Sequence, residues 1–247
     1  LEIGSKFNDI VRFSRSRNKI GMPYKYIKDD IFKEHRVEHQ LRILDKLSCK
    51  YDKDNAKPSI VGVDLDHVIK KFPIENDYIV MCPTNSHVGN QNHRGYRSWP
   101  DNNWKDLISR VLSETSLNII LVGSKNEKKY FNTFYPLKER TYDLSGQTTI
   151  PELITIMKNS KCVITTDSGS AHIAGASAKN IISIHGPTNF YQSAPYSTKY
   201  NDVKVATLNL KCSPCYDTEA IKNCKKNICM QDLNAETVMG LMAELSL

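Results

Sequence analysis

Short apolar runs alternate with helix-length segments from residue 78 to residue 186, and this alternation constrains the fold more than any other feature. The runs YIVMCP (78–83), LNIILVG (117–123), CVITT (162–166) and NIISIHG (180–186) are apolar almost throughout. Strands buried on both faces of a parallel sheet have this composition. The pattern predicts a Rossmann-like α/β domain, with helices on both faces of the sheet and ligands at the C-terminal ends of the strands.

Helix signals fill the segments between these runs. Thr149 and Glu152 form a capping box, which marks the start of a helix over the LITIMKN segment. We predict further helices over PDNNWKDLISRVL (100–112), EKKYFNTFY (127–135), residues 170–178 and NAETVMGLMAEL (234–245), and a short strand at 142–144.

The residues upstream of the first strand have a different character. HRVEHQLRILDKL (35–47) predicts an amphipathic helix with Val37, Leu41, Leu44 and Leu47 on one stripe. Residues 51–75 are polar and irregular, which is typical of an interdomain linker. The chain has no initiator Met and no leading strand–helix unit, so we expect its N-terminal part to be missing.

Composition and charge exclude some classes of protein. With 40% hydrophobic and 25% charged residues, the 247-residue chain has the composition of a soluble globular protein. No apolar run reaches the roughly 20 residues of a membrane-spanning helix, and the first residues lack the apolar region of a signal peptide. The net charge of +7 suits a polyanionic partner, but it suits a solvated surface equally well, so charge alone decides nothing.

A carboxylate, a hydroxyl and a glycine follow directly on the predicted strand at 162–166. Asp167 falls at the C-terminal end of this strand, and Ser168, Gly169 and Ser170 form the first turn of the next helix. Free backbone N–H groups and the helix dipole favour an anion there, and Gly169 lets a diphosphate approach the backbone closely. Asp167 cannot bind phosphate itself; it either accepts hydrogen bonds from sugar hydroxyls or caps the helix.

The wider stretch TDSGSAHIAGASAKNIISIHGPTNFYQSAP (166–195) resembles the signature of glycosyltransferase family nine, the heptosyltransferases of lipopolysaccharide synthesis. Motifs similar to those of the family also appear in order along the chain: NKIGMPY, HRVEHQLRIL, YRSWP (96–100), VGSKNE (122–127), DLSGQTTIPEL (143–153) and CSPCYDTEAIKNCKKNICMQDL (212–233). The resemblance covers nearly the whole chain.

The resemblance implies the GT-B architecture, in which two Rossmann-like domains face each other across a cleft. On this basis residues 1–70 are the C-terminal part of an acceptor-binding domain with its linker, 76–232 the nucleotide-sugar-binding domain, and 233–247 a C-terminal helix. The implied activity is inverting transfer of heptose from ADP-heptose to a hydroxyl of a lipopolysaccharide core-type, other glycan or protein acceptor. The catalytic carboxylate of the family's N-terminal region has no counterpart here, so we expect this chain alone to bind the donor poorly or well but not to turn over.

The resemblance also implies roles for individual residues. We predict that Arg97 and Asp167 are catalytic, and that the donor is bound by Thr84, Glu127, Thr148, Ser168, Gly169, His172 and Gly186. Arg97 stands before Trp-Pro, where the family often has Lys, and would neutralise charge on the departing ADP; the alternative is a surface arginine.

The other polar candidates each have an ordinary structural alternative. Glu127 would bind ribose hydroxyls, or else face solvent within its Lys-rich run. His172 would donate to phosphate, or else bond a backbone carbonyl in the core. Thr84 would reach a phosphate or make a turn hydrogen bond, while Trp99 and Trp104 are predicted core residues.

Seven cysteines are present, and the odd number without a secretion signal indicates a reducing cytoplasm. Cys82 and Cys162 lie in strand-like runs and are predicted core residues. The spacing C-x2-C-x8-C-x4-C at residues 212, 215, 224 and 229 could hold zinc or iron, or could be packed thiols. We leave these alternatives open and assign no cofactor and no metal ligand.

Two functions compete at this stage. The first is a heptosyltransferase that uses an ADP-sugar donor and an anionic glycan or lipopolysaccharide acceptor and does not bind nucleic acid. We expect it in the cytoplasm, with possible peripheral contact with the inner-membrane surface. The second is a non-catalytic nucleotide-sugar or nucleic-acid binding module. RNA binding calls for aromatic residues interleaved with Arg and Lys on a strand face, and no such stripe is present.

Overall fold

A computed structural model of the chain describes residues 33–52, 58–72, 74, 77–85, 95–134, 136–216 and 218–247. The chain divides into two compact units, one of Leu1–Ala56 with Tyr191–Ser193 and one of Lys57–Phe190 with Ala194–Leu247. The first unit contains helix α1 (Arg36–Lys46), which confirms the amphipathic helix predicted over 35–47. The NKIGMPY motif lies outside the described residues.

A parallel sheet forms the centre of the second unit. Among the described residues, six strands make up this sheet in the order β3-β2-β1-β4-β5-β6, and every neighbouring pair is parallel. The strands are β1 (Tyr78–Cys82), β2 (Asn118–Leu121), β3 (Thr141–Asp143), β4 (Cys162–Thr166), β5 (Asn180–Ile184) and β6 (Asp202–Ala206). This confirms the predicted α/β class.

Helices connect the strands, and the longer helices of the second unit cover both faces of the sheet. In chain order they are α2 (Leu65–Lys71), α3 (Asp101–Glu114), α4 (Lys128–Phe131), α5 (Ile150–Lys158), α6 (Gly169–Ser177), α7 (Phe190–Ser193), α8 (Glu219–Lys222), α9 (Ile228–Gln231) and α10 (Ala235–Glu244). Short 3₁₀ turns at Lys125–Glu127 and Asn132–Phe134 flank α4. The predicted capping box begins α5: the Thr149 N–H donates to Glu152 Oε2 at 2.7 Å, and the Glu152 N–H donates to Thr149 Oγ1 at 3.4 Å.

Alternate residues of each central strand enter different cores, which explains why the strands are apolar throughout. Ile79 and Met81 pack with α3 and α10 on one face, whereas Val80 and Cys82 pack with α2, α5 and α6 on the other. Trp104 of α3 is fully buried and meets Trp99 edge to face at 5.0 Å. The predictions that these tryptophans, Cys82 and Cys162 are core residues are confirmed.

The polar segment at 51–75 is not irregular throughout, as the sequence pattern suggested. It contains α2, which is capped by the Asp64 side chain accepting from the Asp66 N–H at 2.8 Å. Lys71 Nζ lies 2.8 Å from Glu152 Oε1, and this contact ties α2 to α5. That hydrogen bond is the main reason why the pKa of Glu152 falls to about 2. Within the described part of the chain, no helix combines the length and the hydropathy needed to cross a bilayer.

Candidate functional site

The sheet has its topological switch point at β1. The chain runs outward from β1 to β2 and β3, and then crosses to β4 on the other side of β1. The loops that follow β1 and β4 therefore lead in opposite directions and leave a crevice at the carboxyl ends of the strands, where ligands of open α/β sheets bind.

A cleft of about 430 Å³ occupies this position, a size typical of small-ligand sites. Its walls come from the residues that follow β1, β2 and β4 and from the start of α5, and comprise residues 84–85, 122–124 with 127, 148–150 with 153, and 168–170. Five predicted donor-binding residues therefore line one cleft: Thr84, Glu127, Thr148, Ser168 and Gly169.

The N-terminus of α6 opens into this cleft without a side-chain cap. Ser168 is the N-cap residue, in an extended conformation, and within the described part of the chain α6 has no side-chain cap hydrogen bond. Asp167 therefore does not cap the helix, which was one of its two predicted roles. A Cβ added to Gly169 would meet nothing within 4 Å, so the space over the first turn is open. Uncapped amides and the helix dipole favour an anion at this position.

Asp167 instead forms an ion pair with Arg97, the other predicted catalytic residue. Arg97 Nη1 lies 3.5 Å from Asp167 Oδ2, and the two side chains are 19% and 8% exposed. Arg97 is thus not a surface arginine. Its Nε is buried and has no hydrogen-bond partner among the described residues. A guanidinium carries five N–H donors in a fixed fork, so this one retains donors for a ligand anion.

Glu127 is held in the wall of the cleft by its own loop. Its Oε2 accepts from the Ser124 N–H at 2.6 Å, and the residue is half-buried and lines the cleft. Gly123 allows this arrangement, because a Cβ there would lie 2.7 Å from the Phe131 ring and 3.3 Å from Glu127 Oε2. A carboxylate has several lone pairs, so Glu127 can accept further hydrogen bonds from a ligand.

The remaining two predicted donor-binding residues, His172 and Gly186, are not among those that line the cleft. His172 is exposed on α6, so it is not a core histidine bonded to a carbonyl. Gly186 is buried, and a Cβ on it would overlap the Met230 side chain and approach Cys229 Sγ to 3.0 Å. Its lack of a side chain is therefore explained by packing against α9.

His185 is a polar residue at the end of β5 that the sequence reasoning did not single out. It is 1% exposed; its Nε2 lies 2.9 Å from Ser183 Oγ and its Nδ1 lies 3.2 Å from Thr188 Oγ1. Burial lowers the pKa of His185 to about 4. The smaller effect of Asp167 raises this pKa, whereas those of His172 and Arg97 lower it further. The imidazole is therefore neutral at physiological pH. A histidine that closes an apolar strand, as in NIISIHG, is the signal that could have pointed to it.

The four cysteines of residues 212–229 lie close enough to influence one another. Burial and then the neighbouring thiols raise the pKa of Cys229 to about 11, and the same two causes raise the pKa of Cys215. All four are free thiols. Among the residues that the structure describes, no three His, Cys, Asp or Glu side chains are arranged to hold a metal ion.

Comparison with known proteins identifies the family. Residues 13–226 match the model of glycosyltransferase family 9 (heptosyltransferase). The lipooligosaccharide heptosyltransferase 2 of Campylobacter jejuni is 33% identical over 145 residues, which are 56% of this chain and 44% of that protein.

Solved structures of Escherichia coli heptosyltransferases have the same fold. ADP-heptose lipopolysaccharide heptosyltransferase II matches with a TM-score of 0.61 at 18% identity, covering 79% of this chain and 55% of that one. Heptosyltransferase WaaC with ADP matches with a TM-score of 0.59 at 17% identity, covering 86% and 57%. The predicted GT-B fold class is thereby confirmed.

The matched region of the Campylobacter relative is less than half of its length. The family match, by contrast, extends over most of the present chain. The chain belongs to glycosyltransferase family 9, the heptosyltransferases.

Proposed function

We propose that the second unit binds ADP-heptose in the cleft, and that the whole protein transfers heptose to a hydroxyl group of a lipopolysaccharide core-type acceptor. The observation that carries this proposal is the uncapped N-terminus of α6 next to the Arg97–Asp167 pair, at the switch point of the sheet. Helix amides and an arginine with a spare buried donor suit a diphosphate.

The two sides of the cleft suit the two ends of a nucleotide-sugar. Glu127 follows β2, the strand whose carboxyl end carries the ribose-binding acidic residue in dinucleotide-binding folds, so it accepts from the ribose hydroxyls. Val122, Ile150 and Leu153 give the same cleft an apolar surface, and Ile150 is 65% exposed. Such a surface suits the face of a base. The E. coli relative solved with ADP supports adenine as that base.

The proposed reaction is a direct displacement. The acceptor hydroxyl oxygen attacks the anomeric carbon, the bond from that carbon to the β-phosphate oxygen breaks, and ADP leaves with the bonding electrons. Arg97 and the α6 amides stabilise the negative charge that develops on ADP. Asp167 accepts hydrogen bonds from sugar hydroxyls and partly offsets the charge of Arg97. We assign the acceptor site and the general base to the remainder of the protein. Residence at the cytoplasmic face of the inner membrane is part of the same proposal, since the acceptor is lipid-linked.

Calorimetry with ADP, UDP and GDP on the 247-residue chain tests donor recognition. We expect ADP to bind tightest, and Arg97→Gln to weaken ADP binding by about ten- to a hundredfold, because hydrogen bonds to charged groups are worth about 1.5–3 kcal/mol. Arg110→Gln is the matched control, since Arg110 pairs with Asp106 on the surface of α3. UDP or GDP binding tenfold more tightly than ADP would refute the assignment, as would equal effects of the two arginine substitutions.

A further inference from the structure

The cysteine segment, defined here as residues 212–229, is bonded to the turn that follows β5. The backbone N–H groups of Cys215 and Tyr216 both donate to Pro187 O, at 2.8 and 3.0 Å. The Ser213 hydroxyl donates to Gly186 O at 2.6 Å. Three hydrogen bonds therefore fix the start of the segment at the carboxyl end of the sheet, on the same edge as the cleft.

The segment and the residues just after it also hold the turn that carries Arg97. The Trp99 indole N–H donates to Leu233 O at 2.6 Å, and the Asn227 side-chain amide lies 3.5 Å from Gly95 O. The Tyr96 hydroxyl lies 3.5 Å from Cys224 O. The distances from Asn227 and from Tyr96 are at the limit for a hydrogen bond, so the hydrogen bond of the Trp99 indole is the strongest of these three contacts.

Two side chains contact Arg97, each in a different way. Its Cζ is 5.0 Å from the centroid of the Tyr216 ring, within the range of a cation–π contact. Asp167 Oδ2 is 3.5 Å from Nη1, which is longer than the 2.7–2.9 Å of a charge-assisted hydrogen bond. Arg97 and Asp167 are therefore not joined by a close hydrogen bond, and the buried Nε of Arg97 has no hydrogen-bond partner among the described residues.

We infer that Tyr216 is a positioning residue that holds the Arg97 guanidinium off Asp167 and toward the donor diphosphate. The inference rests on the proposed function, because the diphosphate is its ligand. The aromatic face offers the guanidinium an attractive contact without competing for its N–H donors. Without the ring, the arginine closes on Asp167 as a hydrogen-bonded pair, and its donors are lost to the ligand.

Calorimetry with ADP and with adenosine tests this role. We expect Tyr216→Leu to weaken ADP binding by about five- to thirtyfold, the range of a partly desolvated cation–π contact, and to leave adenosine binding unchanged. Tyr216→Phe keeps the ring and should bind ADP within about twofold of the unmodified chain. Tyr216→Met, which fills the space with an apolar chain, serves in place of Tyr216→Leu if that variant unfolds.

A double-mutant cycle separates positioning from general packing. In an Arg97→Gln background, Tyr216→Leu should cause no further loss of ADP affinity, because the group that it positions is absent. Additive losses in the double mutant, or equal losses for ADP and adenosine, would overturn the inference while leaving donor binding intact. Failure of the unmodified chain to bind ADP would overturn both this inference and the proposed function.

Discussion

Replacement of His185 by glutamine should remove a large part of the acid sensitivity of the fold. Burial lowers the pKa of His185 from 6.5 to about 4. The unfolded chain therefore takes up a proton as the pH falls through about 6.5, whereas the folded chain stays unprotonated at this site until about pH 4. Stability from this residue is complete above pH 6.5 and declines toward pH 4. At about 1.4 kcal/mol per pKa unit, the decline amounts to about 3 kcal/mol.

Urea unfolding of the unmodified chain and of His185→Gln at several pH values between 7.5 and 4.5 measures this decline. The pKa of Glu152 is lowered to about 2, so most of the stability that depends on it is lost below its ordinary value of 4.5, and any loss is common to both proteins. His172→Gln is the matched control, because His172 is exposed. The free energy of unfolding of the unmodified chain should fall by about 2–3 kcal/mol more than that of His185→Gln over this range. Parallel pH profiles for the two proteins would show that the buried histidine is not neutral, and would refute the reasoning.

Two further predictions concern the ends of β4 and β5. Gly186→Ala should destabilise the fold by about 1–3 kcal/mol in urea unfolding, because the new methyl group overlaps Met230 in a packed core. Gly240→Ala, in open space on α10, should instead be neutral or stabilising, and similar effects of the two substitutions would contradict the packing argument. Asp167→Asn should lower the ratio of ADP-heptose affinity to ADP affinity by about ten- to a hundredfold, since a charged acceptor for the sugar hydroxyls is lost. An unchanged ratio in calorimetry would mean that Asp167 acts through Arg97 alone.

The central strands were predictable because burial on both faces leaves a continuous apolar run, and β1, β2, β4 and β5 all show one. β6 was not predicted, since it lies at the edge of the sheet and Lys204 interrupts its apolar pattern. Helix α2 was missed for a related reason. Val68 is its only residue that is buried, and α2 is fixed by a side-chain cap and by the bond from Lys71 to Glu152, which are tertiary features that no local pattern reveals.

The cleft was predictable to the extent that its residues follow strands directly. Parallel strands end at one edge, so Thr84, Glu127 and Ser168 had to lie near one another once the strands were placed. What supports Arg97 was not predictable in this way. Tyr216 contacts Arg97 through the tertiary fold, and nothing in the sequence near Arg97 indicates that contact.

The ion pair explains why a carboxylate stands beside a site for an anion. Alone, Asp167 would repel a diphosphate at the start of α6. Paired with Arg97, it contributes little net charge, and the diphosphate of the proposed donor would meet the helix amides together with those guanidinium donors that Asp167 leaves free. The pair is open at 3.5 Å, so a ligand can compete for the arginine without first breaking a close hydrogen bond. In the proposed reaction the arginine is needed most when ADP departs, and a carboxylate that partly offsets its charge limits how tightly the product is held. Under the proposed function, Asp167 thus serves the sugar through its own carboxylate oxygens and the release of ADP through its contact with Arg97.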